Sequence, residues 1–174
     1  TCEGDGFILP EDFRDLALRF ESLARDRPFP DKTLDQSHTT TNTSIRRALF
    51  LREYGALDRD LLILGDDDLT SLAVGLLRKA LGVEARLAVV EIDQRVVTHI
   101  HTVSEAEGFG VEVLHHDLRN PLPEPLSERF DVFFTDPPYT LEGLRLFVSR
   151  GISGLRKGVG RQAFIAFGHK DPEE

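Results

Sequence analysis

Two short acidic runs hold residue types that can do chemistry, Gly65-Asp66-Asp67-Asp68-Leu69-Thr70-Ser71 and Asp136-Pro137-Pro138-Tyr139. A dinucleotide site would show G-x-G-x-x-G in the first position, with a helix N-terminus open to pyrophosphate. Three successive carboxylates instead repel phosphate, which argues against NAD, FAD and ATP. An S-adenosyl compound carries a sulfonium cation and no phosphate, so an acidic turn suits it. One carboxylate, Asp68 or its neighbour, is expected to cap the following helix, where it satisfies free amides. Packing like charges has a cost, so capping does not account for all three, and at least one is expected to be functional.

The second run is the sharper motif. Its two prolines stiffen the turn and carry no backbone donor. The turn therefore presents acceptors, namely carbonyls and the Asp136 carboxylate. An amine donates hydrogens to such acceptors, which aims its lone pair at an electrophile. Tyr139 adds a flat wall and a hydroxyl. The bland alternative is a rigid turn with Asp136 as a cap.

Two further stretches are read as a nucleoside edge. In Val90-Glu91-Ile92-Asp93, Glu91 can hold both ribose hydroxyls with its two oxygens. Ile92 can pack on an adenine face, and Asp93 fits a helix cap better than Glu91 does. In His115-His116-Asp117-Leu118, Asp117 can accept from the exocyclic amine of adenine, with a solvated loop acid as the alternative. None of the six histidines sits at zinc-type spacing, His115 and His116 read as surface residues, and Cys2 is the single cysteine. No metal site is expected, and no disulfide can form within the chain.

These turns need elements to hold them. Helical spacing of apolar residues marks 11–26, 44–55, 70–81, 94–107 and 141–154. Arg27-Pro28-Phe29-Pro30 ends the first helix, and 31–42 is a polar loop. Apolar runs at 61–64, 86–91, 111–115, 130–135 and 162–167 read as strands. Strands alternating with helices imply an α/β fold with a mostly parallel sheet and helices on both faces, preceded by a short helical extension. In such sheets ligands bind beyond the carboxyl ends of the strands, where the acidic turns lie. The expected division is an extension over 1–42 and a Rossmann-like core over 43–174.

The 174 residues suffice for one domain with a real core. The net charge of −9 shows no basic face of the kind a nucleic-acid binder carries. No apolar run has the length of a membrane span, and a reducing cytoplasm is the expected location. The chain begins at Thr1 and contains no Met, so a fragment or processed product is expected.

The Asp-Pro-Pro-Tyr turn is similar to that of methyltransferases acting on amino groups of adenine or cytosine. A wider set of segments resembles the branched-chain polyamine synthases, aminopropyltransferases of thermophilic archaea and bacteria. These are Asp26-Arg27-Pro28, Leu34-Asp35-Gln36, Leu64 through Ser71, Glu91-Ile92-Asp93, Asp117-Leu118-Arg119, Pro121-Leu122-Pro123, Thr135 through Pro138, Phe147-Val148 and Arg150-Gly151-Ile152. The resemblance implies a class I methyltransferase-like Rossmann fold. It implies transfer of aminopropyl groups from decarboxylated S-adenosylmethionine to the N4 secondary amine of spermidine. The products would be N4-bis(aminopropyl)spermidine, by way of N4-aminopropylspermidine, and methylthioadenosine.

By the same resemblance Asp67 is the catalytic residue, with Asp136 beside it. Gly65, Asp66, Glu91, Ile92 and Asp117 would hold the donor, while Gln36, Asp68, Pro137 and Tyr139 would line the polyamine groove. No metal, nucleic acid or membrane partner is implied, and a homodimer is compatible. The family also carries an N-terminal winged-helix-like domain, a Cys-x-x-Cys near Thr1-Cys2-Glu3-Gly4, and a C-terminal portion that covers the site. The expectation is that 1–42 is the remnant of a linker to the first of these and that the core is truncated. The rival reading is an S-adenosylmethionine-dependent amino-methyltransferase acting on adenine or cytosine in nucleic acid. A third is a non-catalytic module that binds polyamine or nucleoside.

Overall fold

The computed structural model describes residues 13–167, and Cys2 lies outside the described residues. The order of elements is α1 (Arg14–Leu23), α2 (Thr41–Glu53), β1 (Leu61–Leu64), α3 (Thr70–Leu81), β2 (Leu87–Glu91), α4 (Gln94–Glu107), β3 (Val111–His115), β4 (Val132–Thr135), α5 (Leu141–Gly154) and β5 (Gln162–Ile165). All the expected strands and helices form, and the differences lie at their ends. Helix α2 begins within the threonine run that reads as loop, because the Thr40 hydroxyl accepts from the Thr43 amide and so caps it. Phe130 makes one isolated bridge to Leu155 ahead of β4 rather than joining the strand.

The five strands form one parallel sheet in the order β3-β2-β1-β4-β5. Side chains alternate across it, as the pleat requires. Leu61, Ile63, Val89 and Phe134 face a cluster shared with Phe20, Ala48, Leu72 and Ile100, from α1, α2, α3 and α4. Leu62, Leu64, Val90 and Phe133 face the other cluster, against Leu118, Leu126 and the α5 residues Phe147 and Val148. Burying each such side chain contributes roughly 1.5–3 kcal/mol. Helix α1 belongs to the same apolar cluster as the sheet through Phe20, which is fully buried. Among the described residues, no helix is long and apolar enough to cross a membrane.

Register decides where the turns go. Leu64 pairs with Val90 on one side and with Thr135 on the other. The Gly65 amide donates to the Val90 carbonyl at 2.9 Å, and the His116 amide donates to the Glu91 carbonyl at 2.9 Å. The ends of β3, β2, β1 and β4 therefore open onto one edge. Strand order reverses between β1 and β4, since β1 is followed on one side by β2 and on the other by β4. A crevice opens at such a switch point. Both acidic runs stand at its rim.

Helix α5 crosses close to the sheet at Gly151, where an added Cβ would stand 2.5 Å from the Phe133 ring. Replacing Gly151 with Ala forces that fully buried ring off its rotamer. The expected cost is about 1–3 kcal/mol. It is measured as a lower urea midpoint with an unchanged slope.

Candidate active site

A cavity of about 430 Å³ lies beyond the carboxyl ends of the strands. Its floor and walls include Gly65, Asp67, Asp68, Glu91, Ile92, Asp117, Asp136, Pro137, Tyr139 and Phe147. The segment 34–39, which precedes the sheet in the chain, forms a strap across it. Gln36 anchors that strap. Its carbonyl accepts from the Asp31 amide at 2.7 Å, and its amide donates to Asp93 at 3.2 Å. Thr39 closes the other end, where its backbone amide donates to Asp68 Oδ1 at 2.6 Å.

The β2 end is preorganised. Glu91 Oε2 accepts from the Asp66 amide at 2.7 Å, and Oε1 accepts from the Asp93 amide at 2.8 Å. Burial raises the Glu91 pKa, and these amides pull it back. Each oxygen keeps a lone pair for a further donor. Asp93 is the cap of α4, accepting from the Arg95 amide at 2.9 Å. Its bonds to the Arg95 side chain and amide lower its pKa to about 2. Ile92 is half-exposed at the cavity wall. Asp117, at the β3 end, is paired with Arg119 at 2.6 Å, which lowers its pKa. His115 and His116 bond the carbonyls of Ile92 and Pro121.

The three aspartates after β1 take three different roles. Asp66 does not face the cavity. It is buried, and its carboxylate accepts from the Ser71 amide at 3.1 Å, inside the first turn of α3. Asp66, expected among the residues that hold the donor, is thus turned away from the cavity to bond the first turn of α3, the task expected of Asp68 or its neighbour. The reason lies in the backbone. Gly65 and Leu69 both adopt left-handed conformations, with φ of 68° and 56°. Leu69 tolerates this strained state because its side chain is fully buried and pins the turn. The turn so formed directs Asp66 inward and leaves Asp67 and Asp68 on the cavity side.

Asp68 is bound to cations. Arg47 Nη1 donates to its Oδ2 at 2.7 Å, and Arg27 stands 3.8 Å from its Oδ1. The other arm of Arg47 pairs with Asp136. One guanidinium, itself largely buried, thus joins the two acidic runs. Burial works against its charge, yet Asp136 and Asp68 together raise its pKa. Burial raises the pKa of Asp136, and Arg47 and a hydrogen bond from Tyr139 offset part of the rise.

Asp67 is different. Among the described residues no basic side chain pairs with it. Burial, joined by the charges of Asp68, Glu91 and Asp136, lifts its pKa from 3.8 to about 7. A carboxylate poised near neutrality inside a cleft is suited to proton transfer. Among the described residues, no cluster of three His, Cys, Asp or Glu side chains is placed to hold a metal ion.

Known proteins resemble the chain in sequence and in fold. The family model described as the branched-chain polyamine synthase A C-terminal domain matches residues 15–173. The chain belongs to this family. An uncharacterized protein of Methanocaldococcus jannaschii is 46% identical over all of this chain and 43% of its own length. The N(4)-bis(aminopropyl)spermidine synthase of the same organism is 38% identical over 98% of this chain and 47% of its own length. The branched-chain polyamine synthase of Thermus thermophilus was solved with N4-aminopropylspermidine and 5'-methylthioadenosine. It superposes with a TM-score of 0.74 at 38% identity, over 80% of this chain and 40% of that one. The chain thus spans less than half the length of these relatives. A putative RNA methyltransferase of Pyrococcus horikoshii, with a TM-score of 0.65 and 16% identity, shares the fold alone.

Arg47 was not legible as a site residue. It lies on a helix before the sheet, in a stretch whose signal is its apolar spacing, and its two partners are 21 and 89 residues away. His38, which no sequence signal marks, also lines the strap side of the cavity.

The raised pKa of Asp67 has a stability consequence. Its folded-state pKa of about 7 exceeds the ordinary 3.8, so its contribution is full below about pH 4 and is lost as pH rises through 7. Replacing Asp67 with Asn removes that loss. The expected outcome is a melting temperature higher by at least about 2–4 °C at pH 8, with little change at pH 4, followed by scanning calorimetry.

Proposed function

We propose that this chain forms the catalytic core of an aminopropyltransferase. It would move aminopropyl groups from decarboxylated S-adenosylmethionine to the N4 secondary amine of spermidine. The products would be N4-bis(aminopropyl)spermidine, by way of N4-aminopropylspermidine, and methylthioadenosine. The observation that carries this reading is Asp67, a cavity carboxylate with no basic partner among the described residues and a pKa of about 7. Family membership and the ligands of the Thermus relative point the same way. The cavity volume falls in the range of small-molecule sites.

In this reading Glu91 receives the ribose hydroxyls, Ile92 packs on the adenine, and Asp117 accepts from its amine. Asp67 takes the proton from the acceptor nitrogen, which must be neutral to attack. The nitrogen lone pair then forms a bond to the methylene next to the sulfonium. The carbon–sulfur bond breaks, its electron pair stays on sulfur, and neutral methylthioadenosine leaves. After a first transfer the nitrogen is tertiary, and after a second it is quaternary. Asp136, Pro137 and Tyr139 wall the acceptor side. We place the enzyme in the cytoplasm, with no nucleic-acid partner, and we keep residues 1–42 as an extension of the 43–174 core.

One observation favours a variation in the acceptor. Identity is higher to the uncharacterized Methanocaldococcus protein than to that organism's synthase. Related chemistry on another polyamine is the second reading.

The test incubates the natural full-length protein with decarboxylated S-adenosylmethionine and spermidine, alongside shorter and longer polyamines, and follows product mass. Aminopropyl addition to spermidine supports the first reading, and addition only to another amine supports the second. Methyl transfer from S-adenosylmethionine to adenine or cytosine in nucleic acid would sink both. Replacing Asp67 with Asn is expected to lower kcat by about 10²-fold or more, with methylthioadenosine binding kept. In the unaltered protein kcat/KM should rise as pH climbs through about 7, because the base must be unprotonated.

A further inference from the structure

The two carboxylates that flank Asp67 in the cavity are joined by one cation. Arg47 reaches from α2 with one arm to Asp68 at 2.7 Å and with the other to Asp136. Its side chain is 13% exposed, and Asp68 is 6% exposed. The guanidinium carbon sits 5.6 Å from the Phe134 ring centre, so its plane has a fixed wall. Asp68 is also tied to the strap through the Thr39 amide and lies near Arg27. Both flanking carboxylates thus have a cation before any ligand arrives.

A polyamine carries several ammonium groups at intervals along a flexible chain. Each ammonium seeks a carboxylate. Three open carboxylates on one wall would accept the chain in several registers, and only a register with the acceptor nitrogen at Asp67 is productive. Closing the other two positions is a means of discrimination that works by exclusion. A planar, permanently charged fork suits this task, since it can hold two carboxylates in one geometry.

We infer that Arg47 is a positioning residue for the acceptor amine, holding Asp68 and Asp136 so that Asp67 is the carboxylate the attacking nitrogen meets. The inference rests on the proposed aminopropyl transfer. It differs from a purely structural role in what it predicts for kinetics. Removing the fork opens Asp136 to the substrate's ammonium groups and loosens Asp68, which keeps only the Thr39 amide and the more distant Arg27. The amine then binds more tightly and in unproductive registers. That lowers kcat and KM together, whereas general damage to the site lowers kcat with a KM that is unchanged or raised.

The test compares Arg47→Gln and Arg47→Lys with the unaltered full-length protein, using the amine it converts best. For Arg47→Gln, kcat and the amine KM are expected to fall together, each by about tenfold or more, with methylthioadenosine affinity within about threefold of the original. Lysine keeps the charge but grips one carboxylate at a time, so Arg47→Lys should move both constants the same way by a smaller factor. It also serves if Arg47→Gln does not fold. An amine KM that rises in either folded variant, or a kcat that does not change, overturns the inference. If the unaltered protein transfers no aminopropyl group, the reaction reading fails on its own. The role of the fork is then read by calorimetry, where spermidine should bind Arg47→Gln about tenfold more tightly. Unchanged or weaker binding there overturns it.

Discussion

Crowding of like charge in a place of low dielectric is the constraint around which this molecule is arranged. Asp67, Asp68, Glu91 and Asp136 all reach one cavity, from the ends of three adjacent strands. Each would repel the others strongly if left bare and buried. The fold resolves this residue by residue. Glu91 receives backbone amides, Asp68 and Asp136 share Arg47, and Asp67 is left to meet the repulsion by holding its proton more firmly. The raised pKa of Asp67 thus follows from its burial first and from the charges around it second.

The sheet makes that balance geometrically stable. Parallel pairing of Leu64 with both Val90 and Thr135 fixes the height of all three turns relative to one another. A slip of one residue in β1 would move Gly65 and the acidic turn out of line with the ends of β2 and β4. Above the sheet, the left-handed Leu69 converts a run of three aspartates into one cap and two cavity groups. The strain at that residue is held by a fully buried side chain. The buried Leu69 thus goes with the turn that leaves Asp67 and Asp68, and not Asp66, on the cavity side.

Much of this was legible in the sequence, for physical reasons that can be named. Apolar runs marked the strands and 3.6-residue spacing marked the helices α1 to α5, because each element has one or two apolar faces to bury. The acidic turns could be placed at one edge because parallel sheets of this kind open at their carboxyl ends. Asp93 could be told from Glu91, since a cap is a local interaction. What could not be read was pairing between distant residues. Asp66 and Asp68 have the same chemistry and stand two apart, so their roles depend on a backbone torsion at Leu69 that no side-chain pattern announces. Arg47 likewise looks like any solvated arginine on an amphipathic helix until the fold brings it to Asp136.

The strap at 34–39 lies ahead of the sheet in the chain, as does the helix that carries Arg47. The groups that meet the nucleoside in the proposed reaction come instead from the ends of β2 and β3. The strap and α2 thus come from a stretch of sequence apart from the nucleoside edge, while the Asp136–Tyr139 turn adds to the acceptor side from the end of β4. Descendants of one ancestor can keep the donor edge intact while they revise the strap and α2. A change in the choice of amine can then begin in the strap and α2, with the Asp136–Tyr139 turn and the sheet that fixes it left in place.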